Sequence, residues 1–208
     1  MKNLSKLSII ILTYNEELNL PECLKATNLL SDDLIIVDSY STDNTAKIAM
    51  DFKCRFIQNK FVNQGSQFNW ALENIEIKHD WILRLDADEV LSNENISEIS
   101  NKLENPNTEA FEFNKKIIWM GRWLRFGGLY PMKVTRLFKK GCAKYEERTE
   151  ENLIVNGRVK SLKNDLIENN KKNDIYNFTI KHLNTGLGEC EEYLNKNHEI
   201  EPSILSEI

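Results

Sequence analysis

In the stretch "DWILRLDAD", residues 80–88, a short apolar run ends abruptly in two carboxylates. Short runs of this kind are typical of strands that are buried on both faces of a parallel sheet. Three earlier runs share this character, and a helical pattern follows each of the four, which predicts an α/β fold with a mostly parallel central sheet. The predicted strands are residues 7–14, 33–39, 54–59 and 80–88, and the predicted helices are residues 16–30, 41–52, 66–74 and 92–103.

The pattern changes after Asn105-Pro106, where short strand-like runs replace the alternation. Strand patterns cover residues 110–120, 134–140 and 152–157, and a helical pattern covers residues 174–196. We therefore predict one domain with two halves. Residues 1–105 form an α/β half, and residues 106–208 form an α+β half with a C-terminal helix.

Composition points to a globular protein without a membrane span. The chain has 208 residues, and no apolar run approaches the roughly 20 residues that a spanning helix needs. The first run, Leu7 to Leu12, is too short for the core of a signal peptide. Four cysteines are scattered singly, without the spacing of a zinc site or a disulfide framework. We expect a cytoplasmic protein.

Charge is distributed unevenly. Residues 110–148 contain ten Lys or Arg against three Glu, a net charge of +7, although the whole chain carries −5. A basic segment in an acidic protein predicts a surface for phosphate groups or an anionic membrane, unless it is only a solvated face. The overall negative charge and the lack of any suitable motif give no support to nucleic-acid binding.

Asp86 and Asp88 are candidate metal ligands. On one extended segment, side chains two positions apart point the same way, so these carboxylates would repel each other unless a cation lies between them. Hard oxygen donors suit Mg²⁺ or Mn²⁺, which keep few protein ligands and fill their shell with water and substrate phosphates. The alternative is that Asp88 or Glu89 caps the following helix.

Polar residues follow the other predicted strands as well. Ligands of open α/β sheets bind beyond the carboxyl ends of the strands, so these side chains are expected to meet at one rim. Asp38 there could accept the N–H of a pyrimidine or a ribose hydroxyl, or it could be a simple turn residue before the next helix. The strand-end residues are Thr13, Tyr14, Asn15 and Glu16, then Asp38, Ser39, Ser41, Thr42 and Asp43, then Asp86 and Asp88.

Four motifs in this order resemble the family 2 glycosyltransferases with the GT-A fold. They are "IIILTYNEELNLPECL", "LIIVDSYSTDNTAKIA", "GSQFNWAL" and "WILRLDADE". The later stretch "GRWLRFGGLYPMKVTRLFKKGCAKYEE" resembles the branch that builds lipopolysaccharide and lipooligosaccharide cores, which includes UDP-glucose-dependent β-1,4-glucosyltransferases. The resemblance covers about residues 7–183.

The resemblance implies a UDP-sugar donor, a divalent cation, and single-step transfer with inversion at the anomeric carbon. It also implies that residues 1–105 form the nucleotide-sugar-binding half and that residues 106–208 form the acceptor-side half. It implies that Asp86 and Asp88 bind the metal, with Asp88 as the direct ligand, and that Asp38 contacts the uracil. The other residues that it places around the nucleotide are Thr13, Tyr14, Asn15, Glu16, Ser39, Ser41, Gln67 and Asn69.

The general base is predicted among the glutamates of "EERTEE". Relatives carry a His-Glu pair here, whereas this chain has Glu150-Glu151, so the histidine is missing. We favour Glu151, followed by Glu150 and Glu147; each could instead be a solvated loop glutamate. His182 matches a Lys-His pair of the branch, although a surface helix would explain it equally well.

The basic segment carries the remaining predictions. Arg136 is predicted to bind a diphosphate or a phosphorylated acceptor, since arginine binds phosphate in a bidentate manner. The surface of residues 122–144 is predicted to bind anionic lipid at the cytoplasmic face of the inner membrane. Interleaved aromatic residues could stack on sugars or lie at lipid headgroups, although we expect at least two of them to pack in the core. They are Trp119, Trp123, Phe126 and Tyr130.

Two rival functions remain open. A sugar nucleotidyltransferase would carry a glycine-rich phosphate loop after the first strand, and "TYNEE" has no glycine. A non-catalytic or partner-dependent sugar-nucleotide binding protein would fit the missing histidine. We favour transfer of a hexose to a glycolipid or oligosaccharide acceptor.

Overall fold

A computed structural model describes residues 6–146 and 153–176, and also residues 179, 180, 183, 186, 187 and 190. The chain forms two compact units, residues 1–172 and residues 173–208. In the second unit, the described residues between 175 and 190 are helical. No helix in the described part of the chain has both the length and the apolar character that crossing a bilayer requires.

The first four strands lie parallel in the order β3-β2-β1-β4, which confirms the predicted α/β fold. Thr13 lies beside Asp38, and Leu12 lies beside Asp86, so three strands end at one rim. These elements are β1 (Leu7–Thr13), α1 (Leu20–Thr27), β2 (Asp33–Asp38), α2 (Thr45–Asp51), β3 (Arg55–Gln58), α3 (Gln64–Asn74) and β4 (Trp81–Asp86).

The second half of the chain extends the same sheet. The order continues β4-β8-β6-β12-β5, with β8 antiparallel to both of its neighbours. Residues on both sides of position 105 therefore build one sheet, and the division into two functional halves stays a prediction. The further elements are β5 (Glu89–Val90), α4 (Asn93–Glu104), β6 (Ala110–Trp119), β7 (Arg122–Trp123), β8 (Met132–Lys139), β9 (Ala143–Tyr145), β10 (Leu153–Val155), β11 (Val159–Ser161) and β12 (Leu166–Glu168).

The part of the sheet formed by β1, β2 and β4 is buried on both faces, as the unbroken apolar runs require. Along β1, Ile9 and Ile11 pack into one cluster while Ile10 packs into the other, because successive side chains point to opposite faces. Phe68 of α3 contacts Phe138 and Tyr145 edge-on in the second cluster, with ring centroids 6.1 and 5.5 Å away. This packing fixes the strand ends that carry the polar residues.

The loops at the rim are longer than predicted, because α1 and α2 begin four residues later than the sequence pattern indicates. Residues 15–17 and 41–45 hydrogen-bond to each other instead of starting helices. The Asn15 amide donates to Ser41 Oγ at 2.8 Å, and the Glu16 amide donates to Thr45 Oγ1 at 2.7 Å. The extra length creates two linked loops above β1 and β2.

Candidate functional site

Asp38 organises the rim above β1 and β2. Its side chain is fully buried, and its two oxygens accept hydrogen bonds from Thr13 Oγ1 at 2.9 Å, Gln58 Nε2 at 3.2 Å, and both the amide (2.8 Å) and the hydroxyl of Ser41. A carboxylate has about four acceptor positions, so all of them are filled. A uracil N–H could reach Asp38 only by displacing one of these donors, and the arrangement favours the turn-residue alternative.

Each of the two linked loops contains a non-glycine residue with a positive φ angle. Asn15 has φ 53°, and its side-chain oxygen accepts the Thr42 amide at 2.8 Å. Tyr40 has φ 61°, a conformation that costs free energy for a bulky residue and that is concentrated at functional sites. Tyr14 and Tyr40 are 58% and 56% exposed, so two aromatic rings lie open at this rim. Tyr40 was not predicted, although it directly follows the second strand.

Gln67 and Asn69 connect elements of the fold. Gln67 is buried, and its amide bonds Ser39 Oγ at 3.3 Å and both the side chain and the carbonyl of Asn59, at 2.8 and 3.2 Å. Asn69 bonds the backbone of Tyr145 in both directions, at 2.8 and 2.9 Å. Gln67 and Ser39 thus lie beneath the rim, whereas Asn69 joins α3 to β9. Their contact with a nucleotide stays a prediction.

Asp86 and Asp88 do not share one extended segment, which corrects the premise of the prediction. β4 ends at Asp86, and Asp88 lies in a turn before β5. The helix-cap alternative is also wrong, because Ser92 caps α4 in a capping box with Asn95. Neither Asp88 nor Glu89 is therefore needed to start that helix.

Asp86 is clamped by two arginines. Its Oδ1 lies 2.8 Å from Arg84 Nη2, and its Oδ2 lies 2.8 Å from Arg136 Nη2. Both arginine side chains are nearly inaccessible, at 3% and 7% exposure. Asp86 therefore has no oxygen that is clear of a guanidinium, and its prediction as a direct metal ligand is weakened.

Arg136 is tied to carboxylates in this structure, and its predicted role toward phosphate stays a prediction. It donates to Glu89 Oε1 from Nη2 at 2.6 Å and from Nε at 3.2 Å, and to the Tyr145 hydroxyl at 3.2 Å. Glu89 is fully buried, and a buried carboxylate is stable only with such partners. Burial and the Asp86 carboxylate raise the pKa of Glu89.

Lys115 completes the ionic network from β6. Its ammonium contacts Glu168 and lies 3.6 Å from Glu89. Burial disfavours its charge, but Glu89 and Glu168 outweigh that effect and raise the pKa of Lys115. Three cations, Arg84, Lys115 and Arg136, thus balance three carboxylates, Asp86, Glu89 and Glu168.

Asp88 lies beside this ionic network but is not paired with any of its three cations. Within the described ranges its side chain makes no hydrogen bond and no ion pair. Burial, with the Asp86 and Glu168 carboxylates, raises the pKa of Asp88 to about 7, against the opposing charge of Lys115. A half-buried carboxylate with surplus negative charge is suited to an added cation.

The donor set fits a cation that takes few protein ligands. Among the residues that the structure describes, no group of three or more His, Cys, Asp or Glu side chains is arranged to hold a metal. Of the two aspartates, Asp88 is the one that offers an oxygen ligand without displacing an arginine. Mg²⁺ and Mn²⁺ tolerate such a sparse site when substrate phosphates complete the shell.

A segment after β12 passes across this site. The Asn169 amide donates to the Asp88 carbonyl at 2.9 Å, and the Lys171 amide donates to Asn19 Oδ1 at 2.8 Å. Lys172 Nζ lies 2.6 Å from Glu16 Oε1. We call residues 169–172 the strap. Neither the strap nor the roles of Arg84, Glu89, Lys115 and Glu168 were predicted from the sequence. Of these, Arg84 alone had a signal, as an arginine inside an apolar strand.

Several predicted residues lie elsewhere or outside the described ranges. Glu147, Glu150, Glu151 and His182 fall among residues that the structure does not describe. Trp123 and Phe126 are exposed while Trp119 and Tyr130 are half-buried, so the expected core packing of two of these aromatics is wrong.

Comparison with known proteins identifies the family. Residues 8–148 match the model of glycosyl transferase family 2, and the chain belongs to that family. An uncharacterized glycosyltransferase of Rickettsia bellii is 30% identical over 161 residues, which cover 74% of this chain and 54% of that protein. Glycosyltransferase SunS of Bacillus phage SPbeta is 33% identical over 94 residues, which cover 43% of this chain and 22% of that protein. The chain thus spans about half the length of the first of these relatives.

Solved structures support the fold. S. aureus TarS 1-349 in complex with UDP-GlcNAc superposes with a TM-score of 0.60 at 16% identity, covering 81% of this chain and 60% of that one. This similarity and the family match confirm the predicted GT-A fold.

Proposed function

We propose that the protein is an inverting glycosyltransferase that moves a hexose, such as glucose, from a UDP-sugar to a glycan acceptor. The observation that carries this proposal is Asp88, a carboxylate without a counter-cation among the described residues, at the rim where β1, β2 and β4 end. Membership of family 2 supports the reaction class, and the UDP-GlcNAc complex of TarS supports a UDP-sugar donor.

The nucleotide is proposed to bind above β1 and β2. Residues 13–16 and 38–41 form the linked loops there, with Tyr14 and Tyr40 exposed. Their rings offer surfaces on which a base can stack. Asp38, Ser41 and Thr13 hold the loops in shape, so their contribution to affinity would come through this preorganisation.

Asp88 is proposed to hold Mg²⁺ or Mn²⁺ beside the donor diphosphate. A cation bound there would offset the negative charge that develops on the departing nucleotide. Arg84 and Arg136 hold Asp86 in place. Because Asp88 follows Asp86 by two residues in the same turn, these contacts also help to fix the position of the Asp88 carboxylate. Asp86 is thus assigned to positioning the turn.

The chemical step is a direct displacement. The acceptor oxygen attacks the anomeric carbon from the face opposite the diphosphate, and its bond forms as the bond from that carbon to the β-phosphate oxygen breaks. The electron pair of the broken bond leaves with UDP. The acceptor proton passes to a carboxylate, for which Glu151 is proposed, with Glu150 and Glu147 as alternatives.

The acceptor is proposed to be a cell-surface glycan such as a lipopolysaccharide core, reached at the cytoplasmic face of the inner membrane. The support is the hairpin of β6 and β7, which turns through Met120 and Gly121 at φ 48° and 76°. Met120 and Phe126 are 58% and 76% exposed, with arginines at positions 122 and 125. Exposed apolar side chains with flanking cations suit an anionic bilayer surface.

The test is calorimetric titration of the protein with UDP-glucose, UDP-GlcNAc and GDP-mannose, with and without Mn²⁺. We expect a UDP-sugar to bind, at least tenfold more tightly when Mn²⁺ is present. Equal affinity with and without the metal would remove the role of Asp88. Metal-linked binding without hydrolysis or transfer, in the presence of lipooligosaccharide acceptors, would favour the non-catalytic sugar-nucleotide binding protein.

A further inference from the structure

The strap joins the predicted cation site to the predicted nucleotide loop. Its first residue bonds the Asp88 carbonyl, and its third bonds the Asn19 side chain that precedes α1. Asn170 adds a second bond to Asn19, at 3.1 Å. Three residues span at most about 10 Å, so the Lys172 backbone remains close to Asp88.

The Lys172 ammonium lies at this junction. It donates to Glu16 Oε1 at 2.6 Å and to the Asn15 carbonyl at 3.3 Å. Its side chain is 35% exposed. Glu16 is close enough to Asp88 for its charge to raise the pKa of the Asp88 carboxyl. A cationic group thus lies within the same electrostatic environment as the proposed metal ligand.

The described cations of the ionic network are not available to an incoming anion at low cost. Arg84, Lys115 and Arg136 have side chains that are only 3%, 13% and 7% exposed, and they neutralise buried carboxylates. Removing one of them from its partner leaves an uncompensated buried charge. Lys172 can exchange one partner for another at the solvent boundary, since its flexible stem carries a single point charge.

We propose that Lys172 binds the diphosphate of the nucleotide-sugar donor and turns from Glu16 to a phosphate oxygen when the donor enters. This inference rests on the proposed function, because it takes the diphosphate of the same UDP-sugar as its ligand. A divalent cation neutralises only part of that charge, and an adjacent ammonium adds a charge-assisted hydrogen bond. The same contact would favour departure of UDP as the sugar bond breaks.

The test compares the affinities of UMP and UDP for the full chain in the presence of Mg²⁺, measured by calorimetry. Lys172→Gln is expected to weaken UDP at least tenfold and UMP less than threefold, and Lys172→Arg is expected to retain most of the difference. Lys171→Gln is the matched control, because Lys171 bonds Glu22 at 2.8 Å and is expected to change neither affinity. Thermal unfolding without nucleotide checks that each variant is folded.

A second measurement needs no variant. Amine acetylation followed by mass spectrometry is expected to label Lys172 more slowly when UDP and Mg²⁺ are present, while labelling of Lys171 is unchanged. Equal labelling of Lys172 with and without UDP, or an equal loss of UMP and UDP affinity in Lys172→Gln, overturns the inference. If the unmodified protein binds no UDP at all, the proposed function fails first.

Discussion

Two strands flank β1, and each ends in an aspartate, yet the two ends are built differently. Asp38 at the end of β2 is held by hydroxyl, amide and backbone donors, and none of these donors among the described residues is a cation. Asp86 at the end of β4 is held by two buried guanidinium groups. The first end is a hydrogen-bonded loop scaffold, and the second is an ionic network. This difference fits the proposed function, in which one end would shape a site for the nucleoside and the other would control charge beside the diphosphate.

The largest effect is expected from breaking the ionic network. Arg136→Met leaves Glu89 and Asp86 without their shared guanidinium, and removing one partner of a buried ion pair costs about 3–5 kcal/mol. Urea unfolding at pH 7 would measure the loss. Adding Glu89→Gln to this variant is expected to restore at least about 1 kcal/mol. If the effects of the two substitutions on the free energy of unfolding simply add, Arg136 and Glu89 are not coupled.

A smaller loss is expected at the hydrogen-bonded end. Asp38→Asn keeps the size of the side chain but turns one acceptor oxygen into a donor that faces Ser41 or Gln58, at a cost of about 1–3 kcal/mol. UDP affinity should fall with it, because the loops lose their shape. The same urea unfolding and a UDP titration measure both quantities. Unchanged stability with lost affinity would instead indicate direct contact between Asp38 and the base.

Asp88→Asn is expected to separate binding from stability. Metal-linked UDP affinity should fall at least tenfold, equivalent to about 1.4 kcal/mol, because the oxygen ligand is weakened. Stability without divalent cations should rise at pH 8. The folded pKa of about 7 lies above the usual value of about 3.9, so ionisation of Asp88 destabilises the native state as pH rises through that interval.

The measurement for Asp88 is the melting temperature of both proteins between pH 5 and pH 8 in EDTA. The gap in favour of Asp88→Asn should widen as pH rises. A gap that is constant across this range would show that Asp88 does not carry the raised pKa.

The smallest effect is expected at Phe126, which follows β7 and belongs to neither aspartate network. Phe126→Ser should reduce binding to vesicles that contain anionic lipid by several-fold, since one large exposed apolar side chain is removed. UDP affinity and the melting temperature should not change. Val62→Ser is the control, because Val62 is 74% exposed but lies outside the basic segment. Equal loss from both variants, or no response to anionic lipid, would remove the proposed membrane contact.

Local sequence patterns did not give the correct starts of α1 and α2. Residues 16–19 and 41–44 have helical patterns, but they form loops because their amides find hydroxyl and carboxylate partners in each other. Such partners are far apart in sequence, so no window along the chain reveals them. The start of α4 was predicted well, since its Ser92 cap and Asn95 lie within one turn.

Local sequence patterns were enough to predict the alternating α/β layer, the family, and the gathering of Thr13, Asp38, Asp86 and Asp88 at strand ends, because apolar runs and strand direction are local properties. Which carboxylates are neutralised could be read only from the assembled fold. Arg136 reaches Asp86 from 50 residues away, and Lys115 and Glu168 come from strands added later to the sheet. Charge balance depends on distances between elements, and those distances exist only once the sheet is assembled.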